Sequence, residues 1–287
     1  MLLNVIGAGH AGRTLARVLA GTGRCQIGAV LNRSAASAAA AVAFIGAGRA
    51  IDALAEAGPA ELWLVATADD AIAPAAAALA AAGRLRGGDI VFHASGATPS
   101  SVLSPCREAG AATASVHPVK NFSDPDAAAA SFAGTWCGCE GEPAALAVLE
   151  PLFAAAGGRC LAIDAHHKAL YHAGGAFACN FLTVLLELAL RCEQRAGIPR
   201  EVALALFEPM VRETVDAMFR RGVAEALAGP IARADSGTVG RHLAAFAAWD
   251  PQVEALYRGL GRVAAELAER QGRLTPAQLA RIREALG

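Results

Sequence analysis

Along the first half of the chain, short runs of consecutive apolar residues alternate with longer stretches whose apolar positions recur at helical spacing. Residues 2–6, 26–31, 62–67, 89–94 and 112–116 are short, apolar and bounded by glycine or polar residues, a pattern that predicts buried strands. Between them, residues 12–20, 34–43, 71–82 and 99–109 read as helices. Residues 134–139 and 159–163 read as later strands on either side of a helix over 143–155. Regular alternation of this kind predicts an α/β fold, a doubly wound parallel sheet with helices on both faces.

Past Asp164 the strand signal stops. Residues 165–196 read as one long helix, ended by Gly197 and Pro199. Further helices are expected over 200–207, 209–228, 237–248 and 251–271. The last helix starts at Thr275, with Pro276 in its first turn and Gln278 completing a capping box. The break predicts two domains, 1–164 with the parallel sheet and 165–287 all-α. The most apolar run, 173–190, contains Asn180 and Glu187, which a spanning helix tolerates badly. It is therefore expected in a protein core or subunit interface, without a membrane.

Composition narrows the function classes. Of 287 residues 55% are hydrophobic and 18% charged, which rules out disorder for most of the chain. With 25 basic against 26 acidic residues, general affinity for nucleic acid or an acidic surface is not expected. The seven cysteines are scattered, and no second pair joins Cys137 and Cys139 to complete a zinc site, so no metal is expected. Reduced thiols and the lack of a basic leader point to a cytoplasmic, reducing compartment.

The segment Gly7, Ala8, Gly9, His10, Ala11, Gly12 is GxGxxG, and it follows a strand and opens a helix. In that context Gly7 permits the tight turn, Gly9 lets the backbone approach a pyrophosphate, and Gly12 lets the helix pack on the sheet. This predicts a Rossmann domain holding a dinucleotide. About twenty residues on, where a carboxylate would select NAD, stand Asn32, Arg33 and Ser34. A guanidinium and a hydroxyl suit a 2′-phosphate, so NADP(H) is the expected cofactor. Thr67, Ala68 and Ser95 lie at the carboxyl ends of strands, where the nicotinamide side would fall. Asp69 and Asp70 are read as helix caps rather than as chemistry.

Only two of the 25 basic residues are lysines, Lys120 and Lys168. A lysine retained in an arginine-rich chain marks a place where proton transfer near neutral pH is needed, which arginine cannot perform. Lys168 is the expected proton donor to a carbonyl oxygen. His172, four residues on and on the same helix face, would orient the substrate or relay the proton, and Asn180 would donate a hydrogen bond. His117, in the segment His-Pro-Val-Lys-Asn-Phe at a strand end, is expected to contact substrate. Arg233 would grip a substrate carboxylate, with Asp235 fixing it; the alternative is a structural turn in which Asp235 caps the next helix.

Taken together, GAGHAG at 7–12, HASG at 93–96, HPVKNF at 117–122, KALYH at 168–172 and GPIARAD at 229–235 resemble a bacterial group of NADP-dependent Rossmann oxidoreductases with a helical C-terminal domain of largely unassigned function. Some of its members are alternative ketopantoate reductases. The group is similar to ketopantoate reductase, pyrroline-5-carboxylate reductase and β-hydroxyacid dehydrogenases. The resemblance implies an NADP-binding domain over 1–164, a substrate and dimerisation domain over 165–287, and a homodimer joined through apolar helices. In β-hydroxyacid dehydrogenases and ketopantoate reductases a helix lysine is followed four residues later by asparagine; here Lys168 matches and His172 departs. The expectation is reduction of a small 2-oxo or 3-oxo acid such as ketopantoate. Imine reduction of the pyrroline-carboxylate kind, a non-catalytic NADP(H) sensor and exchange with a deazaflavin coenzyme are the alternatives.

Overall fold

A computed structural model describes residues Met1–Gly287. The chain divides into two compact units, Met1–Asn180 and Phe181–Gly287. The first is an eight-stranded sheet in the order β3-β2-β1-β4-β5-β6-β7-β8. Its strands are β1 (Leu2–Ile6), β2 (Gln26–Leu31), β3 (Arg49–Ile51), β4 (Leu62–Val65), β5 (Ile90–His93), β6 (Ala112–Pro118), β7 (Trp136–Gly141) and β8 (Arg159–Ala162). The connecting helices are α1 (His10–Ala20), α2 (Ala35–Ile45), α3 (Asp69–Ala81), α4 (Ser104–Glu108), α5 (Pro125–Ala130) and α6 (Pro143–Ala155), followed by α7 (Lys168–Gly175).

Period-two alternation feeds two cores from the same strands. Leu62, Leu64 and Phe92 join Leu3, Val5, Leu15 and Phe153 on one face. Trp63, Val65 and Val91 join Ile6, Ile72, Leu79 and Leu103 on the other. Burial on both faces explains why the strands read as continuous apolar runs. The strand order reverses between β1 and β4, and a crevice at that switch point is where such sheets bind ligands.

Several expectations are corrected. β7 runs antiparallel to β6, so the sheet is not parallel throughout. The link between them carries only the six-residue α5 rather than a full crossover helix. The short strand β3 lies in a stretch too brief for the hydrophobic pattern to signal. Residues 99–109 begin as a 3₁₀ turn at Ser100–Leu103 before α4. The segment read as one helix over 165–196 is a 3₁₀ turn at Ala165–His167, α7, a π-helical turn at Ala176–Asn180 and then α8 (Phe181–Arg195). The division into units falls at 180/181 rather than 164, because α7 anchors to the sheet through Lys168 and Tyr171.

The second unit contains α8, α9 (Arg200–Arg221), α10 (Val223–Ala226), α11 (Ser236–Ala247), α12 (Pro251–Gln271) and α13 (Pro276–Leu286). Its core is Ile231, Val239, Leu243, Ala265, Ala268, Ile282 and Leu286. α9 runs through Pro209, where two helices were expected; the proline sits on an exposed face, where the carbonyl it leaves unpaired can be hydrated. Thr275 caps α13 with the expected capping box. The run Ala165–Arg195 is long and apolar enough to cross a membrane, by length and composition alone. It is not buried within the chain, since Leu170, Leu182, Val184 and Leu185 are largely exposed.

Candidate functional site

The glycine loop lies between the end of β1 and the start of α1. Gly7 has φ +84°, and a Cβ there would come within 2.7 Å of Thr67. Its N–H donates to Leu31 O at 2.9 Å, tying the turn to β2. A Cβ on Gly12 would stand 2.2 Å from Gly7 O, so α1 packs against the loop only because both positions are glycine. Gly9 differs: no atom lies within 4 Å of its ideal Cβ. It is the N-cap of α1 and makes no side-chain cap, so no side chain at residue 9 satisfies the first N–H groups of α1. Ala8 is buried beneath the turn.

This is a cradle that a side chain at residue 9 would fill, at the positive end of a helix dipole. Beside it, Thr67 Oγ1 is buried without a hydrogen-bond partner. Ala68 is the N-cap of α3, again with no side-chain cap, so a second helix N-terminus opens at the same sheet edge. At the end of β2, Asn32 Oδ1 accepts from Arg33 N at 3.0 Å. Ser34 caps α2 through a reciprocal box with Ser37. The Arg33 side chain is exposed. The residues present fit a dinucleotide with a phosphate near Arg33.

Lys168 is held inside the first unit rather than at its surface. It is 0% exposed. Its Nζ donates to Glu140 Oε1 at 2.8 Å and to Ser115 Oγ. Glu140 also accepts from Ser100 N at 2.7 Å and Ser100 Oγ at 2.6 Å. Burial pushes Lys168 below the ordinary lysine range, while the Glu140 hydrogen bond and charge oppose it. Burial alone would raise the Glu140 carboxyl, but hydrogen bonds from Lys168 and Ser100 outweigh it and hold it below the usual range. The charged pair locks α7 onto β6 and β7.

One turn further along α7, Tyr171 and His172 reach the carboxyl edge of the sheet. His117 Nδ1 and Tyr171 Oη are 3.0 Å apart. The rings of His117 and His172 meet edge to face, with centroids 5.7 Å apart. Both crowd Gly96: an ideal Cβ there would lie 2.5 Å from His172 Nδ1 and 2.7 Å from His117 Nε2. The His117 imidazole is pushed down to about 4, first by burial and then by His172 and Lys168, with Asp69 opposing. Ser95 Oγ donates to Asp69 Oδ2 at 2.9 Å and accepts from Ala97 N and Thr98 N. Asp69 thus holds the loop after β5; neither it nor Asp70 caps α3 by its side chain.

Of the expected site residues, the structure brings Ser95, His117 and His172 together around Gly96, and Thr67 beside Gly7. Lys120 is elsewhere, donating to Ser131 O at 2.8 Å. Asn180 is exposed in the π-helical turn. In the second unit Arg233 is exposed, and Asp235 caps α11 by accepting from Thr238 N at 2.9 Å and Thr238 Oγ1 at 2.7 Å. That is the structural alternative for Asp235. Tyr171, Gly96 and Glu140 were not singled out from the sequence. Glu140 carried a signal, a carboxylate inside an apolar strand, which requires a buried partner.

Residues 1–118 match the description of a Rossmann-like domain, and residues 135–264 match the domain of unknown function DUF2520. No curated protein matches the chain. Among solved structures, a protein of Thermotoga maritima is similar over 94% of this chain and 100% of its own, at 24% identity and TM-score 0.75. A proposed NADP oxidoreductase of Bacteroides fragilis is similar over 92% and 98%, at 24% identity and TM-score 0.72. An imine reductase of Myxococcus stipitatus, solved with NADP+, is similar over 98% and 99%, at 18% identity and TM-score 0.63. These likenesses establish the fold.

Proposed function

We propose that this chain, a Rossmann-like domain followed by a DUF2520 domain, is an NADP(H)-dependent oxidoreductase that reduces a C=O or C=N bond of a small carboxylate compound. The observation that carries this reading is the open cradle at Gly9, set between two glycines whose positions admit no side chain. The pyrophosphate would rest on the N–H groups of His10 and Ala11, with Gly7, Ala8 and Gly12 shaping the turn. Arg33 would pair with the 2′-phosphate, with Asn32 and Ser34 fixing its backbone. Thr67, Ala68 and Ser95 would border the nicotinamide, whose chemistry when bound is hydride transfer. The NADP+ in the imine reductase of similar fold supports this choice of cofactor.

The substrate would lie against His117 and His172. Lys168 serves as the buried anchor of α7. Both bond types are kept, ketopantoate among the oxo acids and cyclic imino acids among the imines. The chain would work as a homodimer. In the second unit a groove of about 510 Å³ between α8 and α9, lined by Leu182, Leu185, Phe207, Met210 and Met218, offers an apolar surface for a second copy.

The test is titration of the protein with NADPH and NADH, followed by nicotinamide absorbance with a panel of 2-oxo acids, 3-oxo acids and cyclic imino acids. NADPH binding tighter than NADH, with turnover on one class, is the expected result. Binding of neither nucleotide would overturn the reading.

A further inference from the structure

Resting on the oxidoreductase reading, we propose that the proton completing the reduction comes from His172, and that His117 and Tyr171 are positioning residues that hold its ring.

The geometry is local to the first unit. His172 is exposed, whereas Lys168 has no exposed surface and both its oxygen partners are internal. His172 Nδ1 and His117 Nε2 both approach the one point that a Gly96 side chain would occupy. They are therefore close neighbours, and glycine at 96 is what admits them. On its other nitrogen His117 meets the Tyr171 hydroxyl at 3.0 Å. A Cβ on Gly138 would come within 2.6 Å of that same hydroxyl, so a second glycine admits the phenol to the sheet edge. The groups acting on His117 are His172, Lys168 and Asp69, and burial with this surrounding charge keeps it neutral down to about 4. Of the two facing imidazoles, His172 is the exposed one, open to solvent and to a substrate, while His117 is half-enclosed. A neutral His117 can accept a hydrogen bond from the His172 imidazolium and shift its own tautomer against Tyr171.

The step balances. A hydride, with two electrons, is transferred from NADPH to the electrophilic carbon. The π pair of the C=O or C=N bond moves to the heteroatom. That atom takes a proton from the His172 imidazolium, leaving neutral imidazole and NADP+, and solvent restores the proton.

The experiment pairs kinetics with histidine NMR on the full chain, using NADPH and the oxo-acid and imino-acid panel. His172→Gln is expected to bind NADPH within about twofold of wild type and to lose kcat by about 100-fold or more, with the high-pH limb of the kcat profile abolished. Tyr171→Phe and His117→Asn are expected to move that limb rather than abolish it. In the NADPH-loaded protein, NMR titration should show His117 neutral to about 4 and shifted upward in His172→Gln. This readout needs no turnover. His172→Gln with kcat and pH limb intact would overturn the proposal, as would a His117 that titrates in the ordinary range and ignores His172. Failure of NADPH to bind wild type would instead overturn the oxidoreductase reading.

Discussion

Lys168→Met separates an anchor from a catalyst. The Lys168 and Glu140 side chains are 1% and 4% exposed, so solvent does not screen their charges. Removing the ammonium leaves a buried carboxylate with only the two bonds from Ser100. Breaking a buried pair by deleting one partner costs about 3–5 kcal/mol. For a unit of this size each kcal/mol shifts the midpoint by about 2–4 °C, so thermal unfolding should fall by roughly 6–20 °C. Adding Glu140→Gln removes the stranded charge and should recover at least about 1 kcal/mol. The assay is thermal unfolding by fluorescence, in which Trp63 is a fully buried indole of the first unit. Stability and turnover should be lost together, and the double variant should regain part of both. A Lys168→Met protein within about 2 °C of wild type that binds NADPH but does not turn over would refute the anchor and return Lys168 to the chemistry.

Three further outcomes are expected. Gly9→Ala should fold as wild type, because its Cβ enters open space, yet lose NADPH affinity by about 10-fold or more, while Gly12→Ala, whose Cβ would meet Gly7 O at 2.2 Å, should be destabilised; paired thermal unfolding and NADPH fluorescence titrations check both. Arg33→Ala should weaken NADPH by about 10–100-fold and leave NADH nearly unchanged, read from the ratio of dissociation constants. Stability should fall as pH drops from about 6.5 towards about 4, because burial lowers His93 and His117 to about 4 in the fold while the unfolded chain takes up protons from the ordinary value of 6.5. Urea midpoints across that window check this, and His117→Asn should flatten the slope.

The sheet was legible because its strands are buried on both faces and its first turn carries three glycines with distinct steric duties. The direction of β7 is not legible in the sequence because strand patterning records burial and not polarity. The unit boundary was misplaced because hydrophobic periodicity runs unbroken through Lys168, whereas the contact that assigns α7 to the sheet is a charge pair with Glu140, 28 residues away. The same pair gives Lys168 a structural partner that no sequence pattern announces. Burial opposite a carboxylate is a second use for a compact ammonium, and the scarcity of lysine among arginines does not distinguish it from proton transfer. Tyr171 was missed because one phenol in an apolar helix carries no pattern; its role appears only when Gly138 lets it reach His117.

The most direct test of the central claim is deuteride transfer. NADPH labelled with deuterium at the transferring position is incubated with the protein and the oxo-acid and imino-acid panel, and the products are weighed by mass spectrometry. The account predicts a carbon-bound deuterium in the reduced product for each NADPH consumed, and about 100-fold less labelled product when His172→Gln replaces the wild type over the same time. Tight NADPH binding with no labelled product from any member of the panel would contradict it.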